Sequence, residues 1–294
     1  MTEFRMHQTF TLGPVRLTVA DLERSVRYYT EVAGFRVLER LPQGVRLGVE
    51  GAVLAELHEV PGAVPSPPSS PGLSHFAPQV PTKTAVGRFA QRHLDAGIEV
   101  DLRDHVVSQS CYVADPDGHT IEATWAAPRE SWQWTDEGLP VLVAAPIELP
   151  DLLDEPGANE PDPNASGELP AGTEMGHVQL KVADTGLTAT RPFYCDLLGL
   201  EVYAKLGDAF LGVGVADFRS LLVLTDRFSA PDHQRAGADT ARLVSVDVLL
   251  DAKEIGVLAE RLTVAGHPHG RERNDLTVQD PSGNTLRFSP LGAA

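Results

Sequence analysis

The chain has 294 residues, of which 42% are hydrophobic and 22% charged, a composition typical of a globular protein. At about 100 to 200 residues per domain, this length predicts two domains. The net charge of -17 disfavours binding to nucleic acid or to an anionic membrane surface, so the expected partners are small molecules or a second copy of the chain in a homodimer.

The ends and the cysteines give no sign of export. No apolar run follows a basic start at the N-terminus, and no stretch approaches the roughly 18 apolar residues of a membrane helix. Cys111 and Cys195 are the only cysteines, which is too few for a disulfide framework, and we expect both to act as small buried hydrophobes. The sequence therefore predicts a cytoplasmic protein.

The first half of the chain shows two successive units of similar pattern. Residues 15–48 predict a strand, a helix and two strands, and a Pro-rich loop follows at 63–71. GLSHFAPQV then predicts a strand, and residues 83–97 have a helical apolar period that ends at a glycine C-cap. Asp-Pro-Asp-Gly at 115–118 predicts the turn of a final antiparallel hairpin.

The second half repeats this order. Residues 178–212 resemble residues 15–48, and Asp-Pro-Ser-Gly at 280–283 repeats the turn at nearly the same spacing. Between the halves, residues 148–173 are rich in Pro, Gly, Asp and Glu and predict a linker. We expect an α+β protein with four βαβββ units in two modules, 1–147 and 174–294.

Three residues are the best candidates for a metal site. A lone histidine is more often structural than a ligand, but His75 and His177 both come early in the first strand of a unit. Glu122 lies in a predicted strand between the apolar residues Ile121 and Ala123. A carboxylate that is buried in such a strand needs a partner. Two imidazoles and one carboxylate suit Fe(II) and leave positions open for substrate and oxygen, although Mn(II), Zn(II) or Ni(II) would accept the same ligands. No local spacing motif links the three residues.

Several segments together resemble a known superfamily. GPVRLTVADLERSVRYYTEVAGF, GHVQLKVAD and the hairpins DPDGHTIE and DPSGNTLR are similar to the vicinal oxygen chelate (glyoxalase, bleomycin resistance and extradiol dioxygenase) superfamily. GLSHFA, DHVVSQSCYVADPDGHTIE and MGHVQLKVAD resemble bacterial two-module catechol 2,3-dioxygenases. The resemblance implies half-barrel sheets, a metal ion with Fe(II) as the first candidate, and O2-dependent cleavage of a catechol-like or other vicinal-oxygen substrate.

The resemblance also implies how the units combine. In this superfamily a site takes one ligand from the first strand of one unit, and others from the first and last strands of its paired unit. Pairing units two and three keeps His75, Glu122 and His177 together. Pairing units one and four offers Pro14, Val244 and Arg287 instead, so we expect one metal site per chain.

Four further residues are predicted near the substrate. His105 matches a histidine of the resembling motif and is predicted to be catalytic, although a hydrogen bond within its own loop is an equal alternative. Tyr112 is predicted to face the substrate, or else to pack across strands. Thr124 lies near the position where the relatives have a tyrosine just after the glutamate. Arg219 could pair with an anionic substrate, or simply be solvated. Residues 218–222 replace a histidine-rich run, so the usual acid-base histidine is missing.

Two other functions remain open at this point. A glyoxalase-like isomerase or lyase would need a carboxylate in the last strand of unit three, where the sequence offers Leu222 and Leu224, while Glu56 belongs to the pairing without a site. A small-molecule binding or resistance protein would need no turnover. The three tryptophans are expected to pack rather than to stack on a ligand.

Overall fold

A computed structural model describes residues 4–153, 167–183, 187–215, 221–226 and 235–292. The strands of the first half are β1 (Thr11–Val19), β2 (Arg36–Leu41), β3 (Gly44–Val49), β4 (Ala52–Glu59), β5 (Val64–Pro65), β6 (Gly72–Gln79), β7 (Asp101–Asp104), β8 (Ser108–Ala114), β9 (Thr120–Ala126) and β10 (Ala145–Pro146). Those of the second half are β11 (Glu174–Lys181), β12 (Glu201–Lys205), β13 (Phe210–Gly214), β14 (Leu221–Thr225), β15 (Thr240–Ala241), β16 (Leu243–Leu250), β17 (His269–Glu272), β18 (Asp275–Gln279) and β19 (Thr285–Pro290).

The helices are few and short. They are α1 (Leu22–Arg27), α2 (Lys83–Asp95), α3 (Leu149–Leu153) and α4 (Ala252–Val264), with π-helical turns at Tyr28–Val32 and Pro192–Leu197 and a 3-10 turn at Arg129–Ser131. None of the described helices is long and apolar enough to cross a membrane.

Two large sheets carry the fold, and each combines one unit from each half of the chain. One sheet has the order β17-β18-β19-β16-β1-β4-β3-β2, and the other β10-β7-β8-β9-β6-β11-β14-β13-β12. At the centre of each sheet the first strands of two units pair antiparallel, β1 with β16 and β6 with β11. Unit one therefore lies beside unit four, and unit two beside unit three. The predicted α+β fold of βαβββ units is confirmed.

The α2 helix forms where the apolar period predicted it. Thr82 caps its N-terminus by accepting a hydrogen bond from the Ala85 N–H at 3.2 Å. Its buried face includes Val86 and Phe89, and the chain leaves the helix through Gly97 at φ +73°. Part of the predicted linker packs on this helix, because Leu152 of α3 is fully buried. Residues 154–166 of that segment lie outside the described residues.

The two Asp-Pro-x-Gly turns have the same construction. The Asp115 carboxylate accepts two main-chain N–H bonds within its turn, and so does Asp280. A buried tyrosine donates to each aspartate at 3.1 Å, Tyr29 to Asp115 and Tyr194 to Asp280. The last glycine of each turn has a positive φ, +87° or +84°. These turns join β8 to β9 and β18 to β19, the strands of the last hairpin in each sheet, as predicted.

Candidate active site

The three candidate metal ligands lie on three adjacent strands of the nine-stranded sheet. Glu122 is on β9, His75 on β6 and His177 on β11, and these strands are neighbours in the order β9-β6-β11. Both imidazole Nε2 atoms lie 2.9 Å from Glu122 Oε2. The two Nε2 atoms are 3.1 Å apart. Three ligand atoms from distant parts of the sequence thus form a nearly equilateral triangle.

This triangle fits a divalent metal ion. Ligand atoms at about 2.1 Å from a metal and at right angles to one another are about 3.0 Å apart, close to the distances between His75, Glu122 and His177. Glu122 Oε2 is buried and makes no hydrogen bond within the described part of the chain, although both Nε2 atoms are near it. A buried carboxylate oxygen in that position needs a cation or a donor. The group of three residues could therefore hold a metal ion.

The electrostatics of the site favour the protonation states that bind metals. Burial lowers the pKa of His75, which favours its neutral form. Burial opposes ionisation of Glu122, but the nearby imidazoles of His177 and His75 outweigh it and hold the pKa of this carboxyl well below its usual range. Neutral imidazole beside carboxylate is the ligand set of a non-haem iron facial triad.

Tyr112 and His105 form a hydrogen-bonded pair beside this triangle. Tyr112 lies directly across from Glu122 in the β8–β9 ladder, and its ring meets that of His75 edge-on at 5.3 Å. His105 Nδ1 is 2.7 Å from the carbonyl oxygen of Val143, so Nδ1 carries the proton and Nε2 accepts from the Tyr112 hydroxyl at 2.9 Å. Burial, together with the charge of Glu122, raises the pKa of Tyr112 well above its usual value, so the phenol stays protonated.

The loop that carries His105 has an unusual backbone conformation. Val106 adopts φ +70°, a region that β-branched residues rarely occupy. The strained turn is held by Asp104, which accepts from the Val106 N–H at 2.7 Å and from the Gln109 side chain at 2.8 Å. The strain is stored next to the pair of His105 and Tyr112, as is common at functional sites.

The two predicted substrate contacts have different outcomes. Thr124 is buried, lines the cavity above the triangle and exchanges a 2.8 Å hydrogen bond with Ser110. Arg219 lies outside the described residues, and so do the first three residues of the segment that replaces the histidine-rich run.

A cavity of about 760 Å³ opens above the candidate ligands. Its polar wall includes side chains that the sequence analysis did not single out, Ser74, Gln79 and Gln179. Gln79 shares β6 with His75 and Gln179 shares β11 with His177, each at an even spacing from the histidine. Residues at even spacing lie on the same face of a strand, so this spacing is the sequence signal that could have identified the two glutamines. The rest of the wall is mainly apolar and includes Val107, Trp132, Leu142, Val143, Ala204, Leu206, Phe210, Leu221 and Val223. Trp132, expected only to pack, thus also lines the cavity.

The register of the ladders relates the two sheets residue by residue. The turn motifs align Ile121 with Leu286, and these residues pair with Phe76 and Val246 in their sheets. His75 precedes Phe76, so its counterpart is Ser245. The expected counterpart, Val244, was wrong by one residue.

The same comparison places the other ligand positions. Val178 pairs with Phe76 in one sheet, and Val15 pairs with Val246 in the other. His177 therefore corresponds to Pro14, as expected.

The residue of unit three that corresponds to Glu56 also differs by one position from the expectation. A glyoxalase-like isomerase or lyase would need a carboxylate at this place. In the parallel ladders Val178 pairs with Leu222 and Val15 with Ala55, so the counterpart of Glu56 is Val223 rather than Leu222 or Leu224. Val223 lines the cavity and offers no ligand atom.

The eight-stranded sheet has a network of ion pairs where the other sheet has its triangle. Glu56 accepts from Arg16, from Arg46 at 3.0 Å and from His58 at 2.8 Å. Burial alone would raise the pKa of Glu56, but the hydrogen bond of His58 and the charges and bonds of the arginines outweigh it and bring the pKa to about 2. Glu56 is structural, and fully buried rather than at the surface.

The network continues through a second buried carboxylate. Asp247 accepts hydrogen bonds from Arg16 at 3.0 Å and from Arg287 at 3.2 Å. Arg287 also donates to Asp275. Guanidinium groups thus neutralise the carboxylates at this end of the sheet. Its ligand positions hold Pro14, Ser245 and Arg287, which cannot bind a metal as the triangle does.

Comparison with known proteins agrees with this architecture. Residues 11–123 match the model of the Glyoxalase/Bleomycin resistance protein/Dioxygenase superfamily. The chain is 33% identical over 291 residues to a catechol-2,3-dioxygenase of Bacillus subtilis (strain 168), covering 96% of this chain and 98% of the relative.

Solved structures agree on the fold at lower identity. A crystal structure of a Bacillus subtilis subsp. subtilis str. 168 protein has a TM-score of 0.67 at 15% identity, and covers 99% of this chain and 87% of that one. Glyoxalase I from Zea mays has a TM-score of 0.58 at 17% identity, over 95% and 92% of the two chains. The chain therefore belongs to the glyoxalase, bleomycin resistance and dioxygenase superfamily.

Proposed function

We propose that the protein is an Fe(II)-dependent extradiol dioxygenase that opens the ring of a catechol. The observation that carries the proposal is the triangle of His75, Glu122 and His177 at the base of a cavity, with Tyr112 and His105 beside it. The likeness to a catechol-2,3-dioxygenase along almost the whole chain supports an oxidoreductase of this type. The iron and the substrate are the parts we infer.

The overall reaction needs no external reductant. The carbon–carbon bond next to the diol breaks, and both atoms of O2 enter the product, which then carries one carboxylate and one carbonyl group. A bound Fe(II) would supply charge that lowers the pKa of the diol and sites where diol and oxygen meet. His75, Glu122 and His177 would hold it.

The residues around the triangle handle protons and position the substrate. His105 Nε2 is an acceptor because Nδ1 is committed to Val143. A catechol hydroxyl that displaces or approaches the Tyr112 hydroxyl can pass its proton to this nitrogen. Tyr112 remains protonated and donates a hydrogen bond to negative charge that develops on the substrate. The pair thereby takes over proton transfer that the missing histidine-rich run would otherwise perform.

The lining of the cavity towards β12 and β13 favours a catechol with an apolar substituent on that side. Neighbouring strands in a sheet are about 4.8 Å apart, so the ring of a catechol bound at β11 is about as wide as the distance from one strand to the next. Phe210 on β13, together with Ala204 and Leu206 at β12 and just after it, continues the apolar wall two to three strands away. Among the described residues the only cationic side chain of the wall apart from histidine is Arg103, which pairs with Asp101 at 2.8 Å.

Isomerase chemistry of the glyoxalase kind fits less well. It needs a carboxylate base next to the metal, and that position holds Val223. A binding protein without turnover needs a cavity but has no use for a pair of His105 and Tyr112 directed at the ligand triangle.

Oxygen uptake with a panel of substrates tests the proposal. The protein is reconstituted anaerobically with Fe(II), and catechol, 4-alkylcatechols of increasing length and a carboxylated catechol are compared. We expect uptake of one O2 per catechol, loss of uptake in His177→Ala, and unchanged uptake in His269→Ala, a matched histidine on the other sheet. Iron binding with no uptake for any catechol would contradict the dioxygenase and favour a binding protein.

A further inference from the structure

A second cavity, of about 480 Å³, carries a cluster of basic side chains. Lys181, Arg235 and Arg242 line it. Ser74 and Thr120 line both this cavity and the one above the metal ligands, so the two spaces are adjacent. None of the residues predicted from the sequence to bind metal or substrate belongs to this cluster.

The cations of this cluster meet main-chain carbonyl groups rather than acids. Lys181 Nζ donates to the carbonyl oxygen of Pro68 at 2.8 Å. Arg235 Nη2 donates to those of Leu243 and Val244 at 2.6 and 2.8 Å. No ion pair joins either side chain to a carboxylate within the part of the chain that the structure describes. Burial lowers the pKa of Lys181, and burial together with the charge of Arg242 lowers that of Arg235.

Arg242 has donors left over. Its Nη1 makes one long bond, 3.3 Å, to the carbonyl oxygen of Leu243. Its Nε is buried and has no hydrogen-bond partner among the described residues. A buried donor without a partner costs free energy, and the Nε–Nη2 edge of a guanidinium is suited to bidentate binding of a carboxylate or phosphate.

The one acidic side chain in the cavity wall is already neutralised. Asp117 accepts from Arg24 at 2.5 Å and from the Ser25 hydroxyl at 3.1 Å. Among the described residues, no carboxylate forms an ion pair with Lys181, Arg235 or Arg242, and Asp280 acts on Arg235 only from a distance. The chain as a whole nevertheless has a net charge of -17. Elsewhere the arginines of a buried cluster are matched by acids, as in the network around Glu56 and Asp247.

Hydroxyl groups also line this cavity, next to the cations. Ser66, Ser69 and Ser70 lie in the loop at 63–71, and all three line the cavity. Ser66 already donates to the carbonyl oxygen of Ala241 at 2.7 Å, which ties the loop to the strand before Arg242. The prolines of this loop restrict its backbone, so little conformational entropy is lost when a ligand binds.

The geometry points to an anion-binding site in this cavity, formed by Arg242, Lys181 and Arg235, that takes a carboxylate or phosphate group. The anion comes either as a free inorganic ion or as the carboxylate of a molecule that extends from the adjacent active-site cavity past Ser74 and Thr120. Either source supplies a negative charge to the three cations that line the cavity.

Binding of inorganic phosphate to the full-length protein tests this inference without any turnover. Calorimetric titration and thermal unfolding are compared at constant ionic strength, with chloride as the reference anion. We expect saturable binding and a rise in the unfolding temperature with phosphate. Arg242→Gln should weaken phosphate binding by about tenfold or more, because a charge-assisted bidentate contact is lost. Arg271→Gln, which removes an exposed arginine on β17, should leave it unchanged.

Further arms separate the two sources and guard against a misfolded variant. Lys181→Gln removes a second cation of the cluster and should weaken binding independently of Arg242→Gln. If both phosphate and catechol displace bound benzoate, the anion is the carboxylate of a molecule that extends from the active-site cavity. If phosphate binds independently of catechol, the anion is a free ion. Absence of saturable binding, or equal binding by the wild type, Arg242→Gln and Lys181→Gln, would overturn the inference.

Discussion

Replacing Glu56 by Gln tests whether ion pairs stabilise the sheet that lacks the metal ligands. The pKa of Glu56 is about 2 against an ordinary value of 4.5, and each unit of difference between folded and unfolded chain corresponds to about 1.4 kcal/mol. The ionised carboxylate therefore contributes about 3 kcal/mol to the free energy of unfolding at neutral pH. Glu56→Gln should lose about that amount, because Arg16 and Arg46 lose the buried carboxylate that they share and keep only Asp247 and the half-exposed Glu39.

The pH dependence of this effect has a defined sign. A carboxyl whose pKa is depressed in the folded state stabilises fully above its unfolded pKa, and the contribution is lost as the pH falls from about 4.5 towards 2. Guanidinium denaturation of both proteins should thus show a difference of about 3 kcal/mol at pH 7 that shrinks below pH 4.5. Glu39→Gln is the matched control, since Glu39 pairs with the same Arg46 but is half exposed and should cost at most about 1 kcal/mol. A difference below 1 kcal/mol for Glu56→Gln at pH 7, or one that does not change with pH, would refute the reasoning.

Three further predictions concern the active-site cavity. His105→Ala should lower kcat for a catechol by about 100-fold or more while the iron content stays constant, which steady-state kinetics and metal analysis check; an unchanged kcat would remove His105 from proton transfer. Val106→Gly should raise the unfolding temperature, since about 1 kcal/mol or more of backbone strain is relieved, and lower kcat because the loop no longer fixes His105; a less stable variant would show that the strain is not stored there. Phe210→Ala should raise KM for long 4-alkylcatechols and leave KM for catechol unchanged, and a uniform effect on both would contradict the extended apolar wall.

The sequence predicted the fold because each unit repeats local signals. The Asp-Pro-x-Gly turns, the apolar period of α2 and the sequences of the opening strands are all local features, and the structure has them where expected. Their duplication also showed which units keep His75, Glu122 and His177. The position of Val244 relative to His75 was missed by one residue, because a shift of one in a strand depends on pairing with a distant strand and leaves no local mark.

Other features depend on contacts between distant segments. The ion pairs of Glu56 join β1, β3 and β4, and nothing near Glu56 in the sequence indicates that its charge would be buried. The positive φ of Val106 is imposed by Asp104 and the hairpin around it, against the preference of a β-branched residue. That Arg242 Nε has no partner among the described residues follows only from the way β11, β16 and the loop at 63–71 enclose one cavity.

Metal stoichiometry tests the central claim most directly. Protein stripped of metal, then equilibrated anaerobically with excess Fe(II) and freed of unbound ion, should hold one iron per chain. His75→Ala, Glu122→Ala and His177→Ala should each hold almost none, while Ser245→Ala, at the corresponding position of the other sheet, should still hold one. Two irons per chain would contradict the loss of the site in the eight-stranded sheet, and iron retained in all three ligand variants would contradict the metal centre itself.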